Sequence, residues 1–339
     1  MADPKINWPE CAAKLAAALP CDRLHPAVLT WRTQKPSARG PWAVALSGGA
    51  DSLALLLLLW AHWPGRREKL VALHFNHRLR GRAARGDEVF CRRLCAALKV
   101  RFRPGRWRAA RPGASEAEAR AARFHFFELE LRALRSRVLW LGHQQDDIAE
   151  TMLMRLARGS GTAGLAAPRP VHARRDGRVH LRPLLSLRKS EIVAGLKFVG
   201  SPWREDATNA AGDFFRNRIR RLVLPAWRRA AGDRDVVAGA ALGRELLEED
   251  NAALEAWLRE LQPLRADGTL DLQRLAGRPR AIVRRALHDW LLARNRAGRL
   301  SRQGFASLLV AVERGAPTRH SLGAKGFAVI RKNRLRFES

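Results

Sequence analysis

The sequence predicts an α/β protein, a doubly wound and mostly parallel sheet with a smaller, mainly helical C-terminal domain. Three observations predict it. Two short apolar runs, 42–46 and 138–141, each end in a glycine-containing turn and are followed by helical spacing. A third run, 69–75, lies between them and is also followed by a helix. That alternation of buried strand and helix is the pattern of a parallel sheet covered on both faces. After Pro225 the composition shifts to Ala, Leu, Glu and Arg at helical spacing. The expected organisation is a helical leader over 1–40, a main domain over 41–224 and a mainly helical domain over 225–339.

In chain order, residues 9–19 carry apolar side chains at helical spacing, and 20–40 read as a linker containing proline and arginine. Residues 42–46 (Trp-Ala-Val-Ala-Leu) form the first strand. Ser47-Gly48-Gly49 turns, its two glycines permitting positive φ and close backbone approach by a ligand. Asp51 and Ser52 open the next helix. Residues 69–75 form the second strand, 87–98 a helix, and 100–102 a short strand. A long helix spans 115–134, where Ser115 and Glu118 make a capping box. Phe124, Phe126 and Phe127 on it read as core. Residues 138–141 form a buried strand and 145–157 the helix after it. Beyond Pro225, 235–264, 278–293 and 301–313 read as helices, and 318–337 as a terminal hairpin.

The turn after the first strand carries the sharpest chemical signal. The N–H groups of Ser47, Gly48, Gly49, Ala50 and Ser52, with the helix N-terminus behind them, form an anion cradle suited to phosphate. It is not a Walker loop, because no Lys-Ser or Lys-Thr follows at the required spacing. His74, Asn76 and His77 fall at the C-terminal end of the second strand, where doubly wound sheets bind ligands. His143, Asp147 and Glu150 stand at i, i+4 and i+7 and share a face at the same rim. Two acids and an imidazole there suit Mg²⁺ binding or capture of an amine; complementing the helix dipole is the plainer role, and it accounts for Asp146. Arg216 and Arg220 make one basic helix face, either solvated or set against phosphate.

Composition narrows the partner. Lys and Arg number 63 against 32 Asp and Glu, a net charge of +31. That excess implies a polyanion, most simply nucleic acid. A membrane surface is the rival, but the longest apolar run, 53–63, is too short to span a bilayer, and 1–20 has no secretory pattern. The four cysteines, Cys11, Cys21, Cys91 and Cys95, form no Cys-x-x-Cys, which suits a reduced, cytoplasmic protein without a zinc or iron–sulfur site. There is no tyrosine, and nothing physical explains it.

The string Ser-Gly-Gly-x-Asp-Ser at 47–52 resembles the pyrophosphate loop of enzymes that split ATP into AMP and pyrophosphate. Together with Gly-His-Gln-Gln-Asp-Asp-Ile-Ala-Glu-Thr at 142–151, it resembles the tRNA(Ile)-lysidine synthetase family. Residues 74–80, Glu118-Ala119-Arg120 with Arg123-Phe124, Arg182-Pro183-Leu184-Leu185, Asp206-Ala207-Thr208-Asn209 and 215–220 extend the likeness over about 42–225. Arg78 replaces a usual glycine, and Phe124 and Phe215 replace usual tyrosines, which removes two hydroxyls and one flexible turn position.

The resemblance implies an adenine nucleotide alpha hydrolase-like PP-loop fold. It implies ATP-dependent ligation of free lysine to C2 of the wobble cytidine of a CAU-anticodon tRNA(Ile), through an adenylated cytidine. Ser47 to Ser52, His74 and Asn76 would hold ATP. Asp51 would hold Mg²⁺, and Asp51, His143, Asp147, Glu150 and Arg216 would form the catalytic set. Arg80, Arg120, Arg123, Arg216, Arg218 and Arg220 would meet RNA, with the C-terminal domain holding the tRNA body. A homodimer is also implied. Another tRNA-modifying enzyme of the same loop group, such as a thiolase, and a non-catalytic basic RNA-binding protein are the alternatives.

Overall fold

The computed structural model describes residues 6–34, 40–77, 82–111, 113–174, 176–204, 214–294, 300–323 and 326–339. Two compact units emerge, 1–247 and 248–339.

In the first unit, helices α1 (Trp8–Ala18) and α2 (Pro26–Gln34) precede β1 (Trp42–Ala45) and α3 (Ala50–His62). Then come β2 (Leu70–Asn76), α4 (Arg82–Ala97), β3 (Arg101–Arg106), α5 (Glu116–Ala133), β4 (Val138–Trp140) and α6 (Gln145–Leu156). The short α7 (Thr162–Leu165), β5 (Val171–Ala173), β6 (Val179–Leu181) and α8 (Lys189–Phe198) follow. After them come α9 (Phe215–Arg218), a π-helical turn over Ile219–Val223, α10 (Leu224–Ala230) and the start of α11 (Val236–Leu261).

The six strands lie in the order β3-β2-β1-β4-β6-β5. All neighbours are parallel except the β5–β6 pair at the edge. The chain builds outward from β1 to β3, then returns to place β4 on the other side of β1. That reversal opens a crevice beyond the C-terminal ends of β1 and β4, where such sheets bind ligands. The register sets Trp42 against Val138 and Val44 against Trp140. Both tryptophans are fully buried, with ring centroids 4.7 Å apart.

Helix α3 is apolar all round, and Leu53 to Leu59 are all buried, as a helix enclosed by neighbours requires. Each such leucine contributes roughly 1.5–3 kcal/mol of burial. Helix α5 covers the other face through Phe127, Leu131 and Leu134, with Phe124 and Phe126 packed alongside. The predicted capping box at Ser115 and Glu118 is present. Strand β3 continues to Arg106, beyond the expected 100–102. It crosses Pro104, which lacks a donor and is tolerated because β3 is an edge strand.

Two expectations change and one holds. Residues 20–40 are not simply a linker: α2 runs through them with Pro26 at its first position, where a missing N–H costs nothing. The leader packs against the main domain, as its apolar spacing suggests: Trp8, Leu15, Leu19 and Val28 share one core with α3 and α8. The division between units falls at 247/248 inside α11 rather than at 225. Leu224, Val236, Val237 and Ala240 pack with Ala149 of α6, which keeps them in the first unit.

The second unit contains the rest of α11, β7 (Leu270–Asp271), α12 (Arg280–Leu292), α13 (Arg302–Arg314), β8 (Thr318–Ser321), β9 (Phe327–Arg331) and β10 (Arg334–Glu338). The expected hairpin is part of a four-stranded antiparallel sheet, β7-β10-β9-β8. Lys332 and Asn333, both at positive φ, make the two-residue turn between β9 and β10. Its helices and sheet enclose a core around Trp290, Leu287, Leu308 and Ile330.

Candidate active site

The loop after β1 is organised by Ser52. Its hydroxyl accepts from Ser47 N at 3.1 Å, lies 3.0 Å from Ser47 Oγ and donates to Gly49 O at 3.0 Å. Gly48 has φ +92°, and a Cβ there would stand 3.2 Å from Cys91 Sγ. Gly49 does not adopt positive φ: at φ −71° it is the N-cap of α3, so only one of the two glycines is required for its backbone angle. Arg204 N donates to Gly48 O at 2.9 Å, and its Nε to Asp87 Oδ1 at 2.9 Å, tying residue 204 to the loop.

The second turn, after β4, presses against the first. A Cβ on Gly142 would lie 3.0 Å from the Asp51 carbonyl and 3.1 Å from Ser52 N. Asp51, at the head of α3, accepts from Lys189 Nζ at 2.7 Å. Burial pushes the Asp51 carboxyl up, and Lys189 counters it.

Beyond this turn stand four paired charges. Glu150 is 1% exposed. It accepts from Arg216 Nε at 2.8 Å and from Arg220 Nε at 2.6 Å and Nη2 at 3.0 Å. Asp147 accepts from Arg216 Nη2 at 2.5 Å with one oxygen and from Gln144 N at 2.9 Å with the other. The second bond belongs to a capping box in which Gln144, an unusual choice, is the N-cap of α6. Burial pushes the Asp147 carboxyl up to about 6 against the pull of Arg216. Asp146 accepts from Arg228 Nη2 at 2.7 Å and from Lys189 N at 3.0 Å, more than the dipole role expected of it.

His143 precedes α6 rather than lying on it. Its Nδ1 accepts from Arg182 Nε at 3.3 Å. Burial, then Arg182, Arg216, Arg120 and Arg123, hold the imidazole well below its ordinary pKa, so it is neutral and carries no charge to offset a phosphate. His74 donates from Nδ1 to Leu46 O at 2.9 Å and stacks on Phe102, while its buried Nε2 is unsatisfied. Asn76 hydrogen-bonds Glu88.

One cavity of about 1240 Å³ collects these groups. Ser47, Gly49, Ala50, Asp51, Ser52, His74, Asn76, Arg120, Arg123, His143, Asp147, Glu150, Arg216 and Arg220 all line it. Arg218 does not: it is exposed and lies 5.8 Å over the Phe215 ring. Arg216 and Arg220 engage carboxylates here rather than presenting a bare basic face. Arg78, Arg80 and Asp206 to Asn209 lie outside the described residues.

Residues 28–227 match the PP-loop domain family, more than half of the chain. The chain belongs to the PP-loop family. Its relatives include the tRNA(Ile)-lysidine synthase of Symbiobacterium thermophilum, 39% identical over 72% of this chain and 54% of that one. That of Solibacter usitatus is 47% identical over 54% and 40%. That of Geobacillus kaustophilus is 32% identical over 85% and 64%. The chain thus spans about half the length of the first relatives it matches. Among solved structures, the U34-tRNA thiolase NcsA from Methanococcus maripaludis has a TM-score of 0.51 at 16% identity, covering 70% of this chain and 78% of that one, which shows the shared fold.

Within this PP-loop domain, sequence reading missed Lys189 and Arg204, and named Arg182 only as part of the family likeness, with no role. Lys189 carried a signal: it begins α8, where a positive side chain opposes the helix dipole and needs another reason to be there. Arg182 and Arg204 act through partners distant in sequence, His143 and Asp87, which no local pattern shows. The four cysteines are free thiols, and Cys91 and Cys95 are buried. No helix among the described residues is long and apolar enough to cross a membrane.

Proposed function

We propose that this chain is the catalytic part of a tRNA(Ile)-lysidine synthase. The observation that carries the reading is that one cavity joins the Ser-Gly-Gly turn at the head of α3 to a buried pair of carboxylates. Ligation of an amine through a nucleotide intermediate needs both: one end to take pyrophosphate, the other to hold a cationic nucleophile.

ATP would lie with its phosphates on Ser47 to Ser52 and its nucleoside toward His74 and Asn76. The C2 oxygen of the wobble cytidine attacks the α-phosphorus, an O–P bond forms, and pyrophosphate leaves into the cradle. The ε-amine of lysine then attacks C2, the C2–O bond breaks, AMP departs and a proton is released. Asp147 and Glu150 would bind the ammonium. A carboxyl near 6 is a better proton acceptor than an ordinary one, which suits Asp147 to deprotonate the amine. In the resting arrangement Arg216 and Arg220 neutralise these acids. Arrival of RNA phosphate would draw the half-exposed Arg220 away and open Glu150 to lysine. Arg80, Arg120, Arg123 and Arg218 would add further phosphate contacts.

Mg²⁺ fits this donor set only in company with phosphate. Among the described residues no group of three or more His, Cys, Asp or Glu side chains could hold an ion alone. Asp51 offers one partly exposed carboxylate beside the cradle, and Mg²⁺ commonly combines one or two carboxylates with substrate phosphates. Bound there, it would neutralise the leaving pyrophosphate.

The test is release of AMP and pyrophosphate by the full chain. Pyrophosphate release that requires CAU-anticodon tRNA(Ile), and AMP release that requires both that tRNA and lysine, are expected. Sustained AMP release without lysine, or with a sulfur donor in its place, would overturn the reading.

A further inference from the structure

Arg182 stands just beyond β6 and is 6% exposed. Its Nη1 donates to Arg169 O at 2.7 Å, and its Nε donates to His143 Nδ1 at 3.3 Å. A guanidinium has five donors and no acceptor. The nitrogen facing it must therefore offer a lone pair, and the ring proton of a neutral imidazole then sits on Nε2. His143 itself lines the cavity, and its neighbour Gly142 is packed against the Asp51–Ser52 backbone.

We infer that Arg182 is a positioning residue that locks His143 in the Nε2–H tautomer, making the imidazole a neutral hydrogen-bond donor to a substrate oxygen and not a proton acceptor. Both ring nitrogens are then committed: Nδ1 to Arg182, Nε2 to its own proton. The amine must lose its proton elsewhere, which leaves the carboxylates of α6. The choice of a phosphate or cytidine oxygen as acceptor rests on the function proposed above; the tautomer does not.

The surroundings agree. Arg120 and Arg123 of α5, Arg182 after β6 and Arg216 of α9 all oppose a charge on the ring. Asp147 and Glu150 of α6 and Asp51 of α3 line the same cavity, but they are engaged by Gln144, Arg216, Arg220 and Lys189. A cationic imidazole in this place would add a fifth positive group; a neutral one adds a directional donor without that cost.

The experiment is ¹⁵N NMR on the histidine-labelled full chain without ligands, with the His143 signals assigned by their loss in His143→Gln. Expected in the unsubstituted protein is an unprotonated Nδ1 and a protonated Nε2, unchanged where free histidine titrates. Arg182→Met should mix the tautomers and return the ring toward ordinary titration. Turnover should fall by about 10²-fold, the scale of a lost positioned proton or hydrogen-bond group, with the lysine KM little changed. Arg182→Lys, which keeps a charged donor, should restore part of both. A protonated Nδ1 in the unsubstituted protein, or a tautomer and titration unmoved by Arg182→Met, would overturn the inference. The unsubstituted spectrum decides even if Arg182→Met fails to fold. An absence of lysine-dependent turnover would sink the proposed function and leave the spectra standing.

Discussion

Two walls of one cavity are made in different ways. The wall after β1 is mostly backbone: a glycine at φ +92°, two serine hydroxyls and a helix N-terminus, held within a few residues of one another. The wall formed by α6, α9 and the π-helical turn after it is side-chain charge: two acids and two arginines, 66 to 70 residues apart, saturating one another. The first is fixed by its own local bonds, Ser47 N donating to Ser52 Oγ and Gly49 N to Ser47 Oγ. The second must break an ion pair before it can receive a cation. One wall is preorganised, while the other stores its specificity in contacts that a substrate has to exchange.

The difference yields predictions of decreasing size. Asp51→Ala, at the junction of the walls, should lower turnover by about 10²–10³-fold while leaving tRNA binding intact; parallel loss of both in filter binding and turnover would contradict its assignment. Glu150→Gln leaves Arg220 beside a neutral amide and Arg216 with Asp147 alone. It should destabilise the fold by about 3 kcal/mol, read by chemical denaturation, and raise the lysine KM more than the ATP KM. Stability unchanged in that variant would mean that the pairs are not formed in solution.

The loop wall can be probed by its two glycines. Gly48→Ala places a side chain at positive φ beside Cys91 and should cost about 1–2 kcal/mol together with a higher ATP KM. Gly49→Ala, at φ −71° and with only ordinary contact to Ser47 Oγ at 3.4 Å, should cost well under 1 kcal/mol. Equal effects of the two would show that backbone angle is not what shapes the cradle.

The charged wall alone should respond to acid. The Asp147 value of about 6 lies above the ordinary carboxylate value, so the folded state takes up this proton more readily than the unfolded chain. Asp147 therefore favours folding at low pH, and that contribution is lost as pH rises through about 6. The ionised form that would hold lysine predominates only above it. Lysine-dependent turnover should fall as pH drops through about 6 without loss of fold, and pyrophosphate binding at the loop should persist. A profile flat through that range would remove Asp147 from lysine binding.

Legibility in the sequence follows the same division. Ser47 to Ser52 could be read because strand, turn and helix are contiguous and each residue type answers a local backbone need. The strands around Trp42 and Trp140 could be read because continuous burial leaves an apolar run. Helix α2 was hidden because Pro26 resembles a linker residue until it is seen at a first helical position. The pairing of Arg216 with Asp147 and Glu150 was hidden because three charges at a rim look alike whether bound to solvent, ligand or one another. Only the fold brings α9 to α6. Lys189 on Asp51 and Arg182 on His143 were hidden for the same reason.

The most direct test of the account is transfer of labelled lysine to unmodified CAU-anticodon tRNA(Ile) with ATP and Mg²⁺, against the same tRNA carrying uridine at the wobble position. Label in the first and not in the second is the expected result. No label in either, with tRNA and ATP still bound, would contradict the proposal that these two walls serve one ligation.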